Sequence, residues 1–440
     1  MRGTTAGRYL ACLAVIAGVV WVLGPAWTEG YLPVFPDSSS YLAVASAGVV
    51  SIDFWFGERP PTYPLLIWIV GPSTRAIVVA QTAIAIASWA WLAVTVWEEL
   101  RSRWLAVLTT ALLLLVAIQT RWAFWHSAIL TESLSGSLAV AATAAWWRWF
   151  ARSDRFRLVV AAALTGAWML LRDSNAATFA AVALPAMLVL GVLDRRSTGP
   201  RRRGMSVALA ALVAVAAFSL AGQFVSNRGE ASFHNNVGLR WLPDGDMRAW
   251  MVAWGMPESD ALDARTGTDA WSDGEAFLRS PSLAEYRDWA RDRGRAAAAT
   301  SFVVRADWYL DRLWRDLPAH TGTDHLAYDT FDLAARLPER PLGPVDPAGS
   351  RPGIVAWGLA ALASAVIVAL RRPRMAWLIP FWSLPVVADF YLVYVADAIE
   401  VGRHLVGPML RFEVVAILSV ALAIDAILHP HEMGHVDVEG

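Results

Sequence analysis

The segment 36–64, PDSSSYLAVASAGVVSIDFWFGERPPTYP, contains residue types that can act on a hydroxyl and on a phosphate. A carboxylate such as Asp37 takes a proton from a hydroxyl that lies within hydrogen-bond reach. The guanidinium of Arg59, which is followed by two prolines and Tyr63, keeps its charge and binds phosphate through paired hydrogen bonds. Together these residues predict chemistry on a lipid-linked substrate at a membrane face.

Both charged residues also have a purely structural interpretation. Asp37 is followed by three serines, and this pattern suits the N-cap of a helix that runs through Tyr41. Arg59 could reach lipid headgroups from the membrane surface while its aliphatic stem stays among apolar groups. The sequence leaves these alternatives open.

Other ionisable residues lie at the ends of apolar segments. Glu132 lies within an apolar stretch, where a charge is costly and usually faces a cavity or a partner. An ion pair with Arg172 or Arg121 is the structural alternative. Further polar residues at these ends are His126, Asp173 and Asn175.

The segment 396–413, ADAIEVGRHLVGPMLRFE, is the densest polar cluster near the end of a predicted span. Arg403 and His404 are suited to hold a phosphate oxygen, and Glu400 lies just before them. A solvated loop of mixed charge is the alternative. The same segment also contains Asp397, Arg411 and Glu413.

Two short motifs resemble metal sites but lack the expected context. HEMGH at 431–435 has the zinc-peptidase spacing, yet it follows Pro430 and contains a glycine, which disfavours the required helix. PDGD at 243–246 has a pair of aspartates, but no alternating strand and helix pattern surrounds it. We interpret PDGD as a surface turn and predict no metal-ligand residues.

The composition is that of an integral membrane protein. The 440 residues are 56% hydrophobic and 17% charged, with a mean hydropathy of +0.43, whereas soluble proteins carry about 25% charged residues. All basic residues are arginine, and Cys12 is the single cysteine, so no intrachain disulfide can form. The apolar run after the N-terminal arginines is too long for a signal peptide and predicts an uncleaved span.

Hydropathy predicts an all-α polytopic protein of about ten transmembrane helices, each needing about 20 residues to cross. Arginine-rich loops at 101–103, 148–157, 194–203 and 371–374 lie on one side, so the positive-inside rule places both termini in the cytoplasm of a multi-pass plasma-membrane protein. The segment 62–71 is too short to cross and predicts an interfacial piece. The predicted spans are 9–28, 76–97, 104–120, 127–149, 157–171, 176–193, 205–225, 353–370, 375–396 and 412–428.

These spans divide the chain into four parts. Residues 1–225 form an N-terminal membrane module of about seven spans, with a first external loop at 29–75. The acidic block 226–350 forms an external, mainly helical domain, with loops first and a helix from about 282 to 317. Residues 351–428 form a second membrane module of about three spans, and 429–440 form a cytoplasmic tail.

These motifs together resemble the GT-C class of integral membrane glycosyltransferases, in the branch with protein O-mannosyltransferases and the lipid A aminoarabinose transferase. The resemblance is carried by Asp37 and Tyr41 after the first span, then RPPTYPLL at 59–66. Shorter matches are LTESL at 130–134, LLRDSN at 170–175 and EVGRHLVGP at 400–408. Serines occupy 38–40, where family members often have a second acidic residue, so a divalent metal is left open as a cofactor.

The resemblance implies inverting transfer of a sugar from a polyprenyl-phosphate donor to a hydroxyl of a cell-envelope glycan, lipid or protein. Asp37 would be the catalytic base, with the bilayer and these two substrates as partners and no nucleic acid. Residues implied in binding the donor phosphate or substrate are Arg59, Tyr63, Glu132, Arg172, Glu400, Arg403 and His404.

Two other functions fit part of the pattern. A carrier or flippase for a lipid-linked or polar solute would favour polar residues at the membrane midplane and repeated halves, neither of which the sequence shows. A non-catalytic assembly or sensor protein would use 226–350 to bind a wall polymer or a partner.

Overall fold

The structure is a computed structural model that describes residues 17–18, 35–193, 200–321, 350–372, 375, 377–399 and 401–430. Most of the predicted span 9–28, Glu400 and the HEMGH motif lie outside the described residues. Within the described ranges every regular element is a helix, and no strand occurs.

The described residues up to Val225 form ten α-helices. They are α1 Pro36–Ser46, α2 Ile52–Phe56, α3 Thr62–Val70, α4 Thr74–Glu99, α5 Arg103–Ala117, α6 Thr120–Ala123, α7 Thr131–Arg152, α8 Arg155–Met169, α9 Asp173–Leu193 and α10 Pro200–Val225. Side-chain caps set several of their starts: the Oγ of Ser73 accepts from the amide of Ala76 at α4, and Asp154 accepts from Arg157 at α8.

The described residues from Glu230 onward form ten more α-helices. They are α11 Glu230–Asn236, α12 Gly245–Ala253, α13 Asp260–Asp263, α14 Ser272–Arg279, α15 Ala284–Trp289, α16 Arg295–Val304, α17 Ala306–Thr321, α18 Arg351–Arg371, α19 Leu378–Ala396 and α20 Val401–Leu428. Residues 237–241 and 290–294 are π-helical.

Four helices among the described residues are long and apolar enough to cross a membrane: Thr74–Glu99, Gly204–Val225, Arg351–Arg371 and Leu378–Ala396. In α18 only 11% of the most apolar stretch is buried within the protein, as expected for a helix that faces lipid. Helices also cover the predicted spans between 104 and 193 and at 412–428. The count of about ten spans stays a prediction.

Helix α20 is the centre of the bundle. It packs against α5, α7, α18 and α19, while α7 also packs on α4 and α8. Close contact between α7 and α20 depends on Gly136, since a Cβ there would lie 2.8 Å from a methyl carbon of Leu410. The central position of α20 brings its first turn to one end of the bundle and its last turn to the other.

Arginine-rich connections between helices lie at the end of the bundle where the last turn of α20 is found. The fully buried Asp425 accepts from the amides of Arg101 and Ser102 at 3.1 and 3.0 Å, and Arg372 donates to it at 2.7 Å. At the end of α4, Arg148 pairs with Glu98 at 2.6 Å. Three predicted cytoplasmic loops therefore meet at helix ends.

The region 226–321 differs in two places from the sequence prediction. In the predicted surface turn PDGD, Pro243 lies in an exposed turn, but Gly245 and Asp246 begin α12, which Asp244 caps by accepting from the amide of Met247. Residues 282–317 are helical except at Arg305, but they are divided into several helices: α15, a π-helical stretch, α16 and α17. Gly294 is pressed against Phe233, where a Cβ would lie 2.9 Å from the ring, and this packing accompanies the π-helical turn.

Candidate active site

A pocket open to solvent lies at the end of the bundle where α20 begins, and it contains about 600 Å³ of empty space, its open mouth included. Helices α1, α7, α9 and α20 all begin there, so their N-terminal partial positive charges converge on it. The charged and titratable lining residues are Asp37, Tyr41, Glu58, Arg59, Glu132, Arg172, Asp173, Arg228, Arg403 and His404.

Asp37 lies between two arginines. Arg59 donates to its Oδ1 at 2.9 Å, and both terminal nitrogens of Arg403 lie 3.2 Å from its Oδ2. Asp37 is the second residue of α1 and does not cap it; the Oγ of Ser38 accepts from the amide of Phe35 instead. The carboxylate is therefore available to the pocket.

Burial raises the pKa of Asp37, but the charges and hydrogen bonds of Arg59 and Arg403 lower it by more. The net pKa lies below the ordinary carboxyl value of 3.8. Asp37 is therefore ionised at neutral pH, and in this arrangement it is a weak base, because both of its oxygens already accept from guanidinium groups.

Glu132 connects Arg403 to one further arginine of the pocket, Arg172. Its Oε1 lies 3.7 Å from Arg172 and 3.8 Å from Arg403, and the side chain is buried in the first turn of α7. The Oε2 of Glu132 is buried without a hydrogen-bond partner among the described residues. The predicted pair with Arg172 is present, but it is one part of a network that also includes Asp37.

Arg172 links this network to the first turn of α20. Its Nη2 lies 2.6 Å from the Nδ1 of His404. Arginine can only donate, so Nδ1 accepts and the imidazole keeps its proton on Nε2. His404 therefore presents a neutral N–H donor near the arginines.

The position of Arg59 is set by its hydrogen bond to Asp37 and by two further contacts. Its Nε donates to the Oγ of Ser40 at 2.6 Å, and its guanidinium lies 4.9 Å from the centre of the Tyr41 ring. Tyr63 packs edge-on against Tyr41 at 5.1 Å. The first loop thus folds back so that the start of α1 and the end of the α2–α3 connection face each other.

The structure does not bring Tyr63 into the pocket. Its side chain is fully buried behind Tyr41, and its hydroxyl donates to Gln81 at 2.9 Å.

Other polar residues from the sequence analysis also lie away from the pocket. His126 and Asn175 are buried, and they bond to Ser133 and to Ser135 respectively. Asp397 accepts from Ser232 and Asn235, and Arg411 pairs with Asp389 in the bundle. The side chain of Arg121 lies outside the described residues.

Sequence reasoning missed Arg228 and Glu58, which also line the pocket. Arg228 lies three residues after the end of α10, and its Nε is 3.5 Å from the Oδ2 of Asp173. The sequence did contain a signal for Arg228, because it follows a predicted span on the predicted external side. Arg172 was identified from the same kind of position.

The described residues do not fit a divalent cation at Asp37. Both carboxylate oxygens are bound to guanidinium groups, which repel a metal ion. In the described ranges no three histidine, cysteine, aspartate or glutamate side chains are grouped as a metal site would require. No step of the chemistry below is therefore assigned to a metal.

No protein-family model matches the chain. No curated protein matches it either. Among solved structures, the chain is similar to the archaeal oligosaccharyltransferase AglB from Archaeoglobus fulgidus, solved in complex with an inhibitory peptide and a dolichol-phosphate. The identity is 14% and the TM-score 0.44, and the match covers 93% of this chain. The chain spans about half the length of AglB, 50% of which is covered.

Proposed function

We propose that the protein is a GT-C-type membrane glycosyltransferase that uses a polyprenyl-phosphate sugar as donor. The observation that carries the proposal is the carboxylate of Asp37 held between Arg59 and Arg403 on the wall of an open pocket. A base, cationic groups for a phosphate and four helix N termini lie within one cavity, and this combination suits transfer from a phosphate leaving group.

The reaction is a direct displacement. Asp37 takes the proton of an acceptor hydroxyl, and the hydroxyl oxygen attacks the anomeric carbon of the donor sugar. The bond between that carbon and the phosphate oxygen breaks, and its electron pair leaves with the polyprenyl phosphate. Attack from the face opposite the leaving group inverts the anomeric configuration.

The arginines stabilise the charge that develops on the leaving phosphate. Arg59, Arg172 and Arg403 surround one side of the pocket, and fixed donors in a partly buried site act without reorganisation. The Nε2–H of His404 is a further neutral donor. A lipid-borne donor also accounts for a site at the end of a helical bundle rather than on a nucleotide-binding fold.

Donor binding would convert Asp37 from a weak base into a stronger one. The two guanidinium groups that hold Asp37 are those suited to the donor phosphate. A bound phosphate draws their hydrogen bonds and charge toward itself, and the pKa of the still partly buried carboxyl then rises. The base thus gains strength only when the leaving group is in place.

We further propose an orientation in the membrane and a class of acceptor. The pocket and the helices of 226–321 face the outside of a bacterial plasma membrane, with both termini in the cytoplasm, and the acceptor is a hydroxyl of the cell envelope. The protein O-mannosyltransferase and aminoarabinose transferase branch is the proposed affiliation, on the motifs at Asp37, Arg59 and Arg403.

The test uses purified protein in proteoliposomes with a panel of polyprenyl-phosphate sugars and an envelope acceptor extract. We expect sugar transfer with release of free polyprenyl phosphate in equal amounts from at least one donor. Saturable donor binding without transfer from any donor would count against the enzyme and in favour of a carrier or flippase.

A further inference from the structure

Arg228 is a pocket arginine with unused donors. Its side chain is 5% exposed, and its Nε and Nη1 have no hydrogen-bond partner among the described residues. The contacts that it makes are long: Nη2 lies 3.4 Å from the carbonyl oxygen of Ser219, and Nε 3.5 Å from Asp173. Buried guanidinium donors left in this state are costly, and a ligand is one way to satisfy them.

The position of Arg228 is built into the neighbouring helices. Gly222 of α10 leaves room for the guanidinium, since a Cβ there would lie 2.4 Å from Nη2 of Arg228. On the pocket side Arg228 lies beside Asp173 and Ser174, in the first turn of the 21-residue helix α9. The N-terminal dipole of α9 and the guanidinium therefore act on the same part of the cavity.

The neighbouring groups compensate the charge of Arg228 only in part. Burial lowers the pKa of Arg228, the carboxylate of Asp173 raises it in part, and the charge of Arg59 lowers it further. Asp173 is itself engaged by the hydroxyl of Ser219 at 3.2 Å. An added anion would stabilise the charged guanidinium.

We propose that Arg228 and the start of α9 form a second anion subsite, which binds a carboxylate or phosphate group of the acceptor. This inference rests on the proposed function, in which Arg59, Arg172 and Arg403 serve the lipid phosphate. It adds that the acceptor is acidic, such as a uronic acid or a phosphorylated sugar, and that Arg228 determines this specificity.

The experiment measures anion binding by titration calorimetry on protein in lipid nanodiscs, with and without saturating polyprenyl phosphate. The probes are glucuronate, glucose 6-phosphate and glucose, which separate a carboxylate, a phosphate and a neutral sugar. The variants are Arg228→Gln, Arg228→Lys and Gly222→Ala, which displaces the guanidinium without removing its charge. Arg291→Gln, 72% exposed on the surface, is the matched control.

We expect saturable binding of at least one anionic probe and none of glucose. Arg228→Gln should weaken that binding by about tenfold or more, as loss of charged hydrogen bonds predicts. Arg228→Lys should keep part of the affinity, Gly222→Ala should lose part of it, and Arg291→Gln should match the wild type.

Anion binding that is absent in the wild type, or unchanged in Arg228→Gln, would overturn the subsite. Polyprenyl-phosphate binding by Arg228→Gln shows that the variant is folded. Failure of the wild type to bind polyprenyl phosphate would count against the proposed function alone, because the anion titrations without lipid still decide the subsite.

Discussion

Arg403 lies 366 residues after Asp37 in the chain, yet both of its terminal nitrogens lie 3.2 Å from one carboxylate oxygen of Asp37. The contact joins the first turn of α1 to the first turn of α20, so the two ends of the described chain complete one pocket. Arg59 holds the other oxygen. The pocket therefore forms only when the first loop docks on α20.

Arg59→Gln should weaken binding of polyprenyl phosphate by about tenfold to a hundredfold, the range expected for charged hydrogen bonds. The substitution removes one cation and leaves the charge of Asp37 less compensated, which adds repulsion of the phosphate. Binding is measured by titration in nanodiscs. Arg75→Gln, exposed in the first turn of α4, should bind as the wild type does, and equal affinities of both variants would contradict the assignment.

Asp37 should contribute to the acid sensitivity of the fold. Its folded-state pKa is lowered, so its contribution to stability is complete above the unfolded-state pKa and is lost as pH falls through the folded-state pKa. We expect the melting temperature of the wild type to fall as the pH drops below about 4. In Asp37→Asn that part of the pH dependence should be missing, and parallel melting curves for the two proteins would refute the linkage.

The apolar runs in the sequence predict where many helices lie, since a run of about 20 apolar residues gains most by satisfying its backbone within a helix. The hydropathy pattern of one segment does not show which helix ends lie close together in the folded protein. The proximity of Glu132 to both Arg172 and Arg403 depends on the packing of α7, α9 and α20, and no local signal records that packing.

Tyr63 and Arg228 also show that position in the sequence does not determine which side chains line the pocket. Tyr63 follows Arg59 closely, but α3 turns its ring inward to Gln81, so proximity in sequence overstated its access to the pocket. Arg228 belongs to no motif, and it reaches the pocket because α10 ends beside α9 and Gly222 leaves space. The helix predicted over 282–317 is interrupted at Arg305, where the backbone leaves helical geometry between α16 and α17, and helical periodicity did not record that break.

Asp425→Ala should destabilise the protein by about 3–5 kcal/mol, because removing one member of a buried ion pair leaves the other charge uncompensated. Arg372 would lose its partner, and the amides of Arg101 and Ser102 would lose an acceptor. The free energy of unfolding in detergent gives the measurement. Asp292→Ala, at an exposed position, is the control, and a loss no larger than that of the control would contradict this role.

The predicted orientation can be tested by labelling single cysteines in intact cells. In a Cys12→Ser background, Ser282→Cys should react with a membrane-impermeant maleimide, because 226–321 is proposed to be external. Arg101→Cys, in an arginine-rich loop, should react only after permeabilisation. Both positions are exposed in the protein, so differences in labelling report sidedness. The reverse pattern would invert the topology and place the pocket in the cytoplasm.

The most direct test of the account compares Asp37→Asn with the wild type in the proteoliposome transfer assay. The variant keeps the size of the side chain, and Asp53→Asn, exposed in the same first loop, is the matched control. We predict that Asp37→Asn still binds polyprenyl phosphate but loses sugar transfer, while Asp53→Asn retains it. Transfer at the wild-type rate by Asp37→Asn would contradict the role of Asp37 as the base.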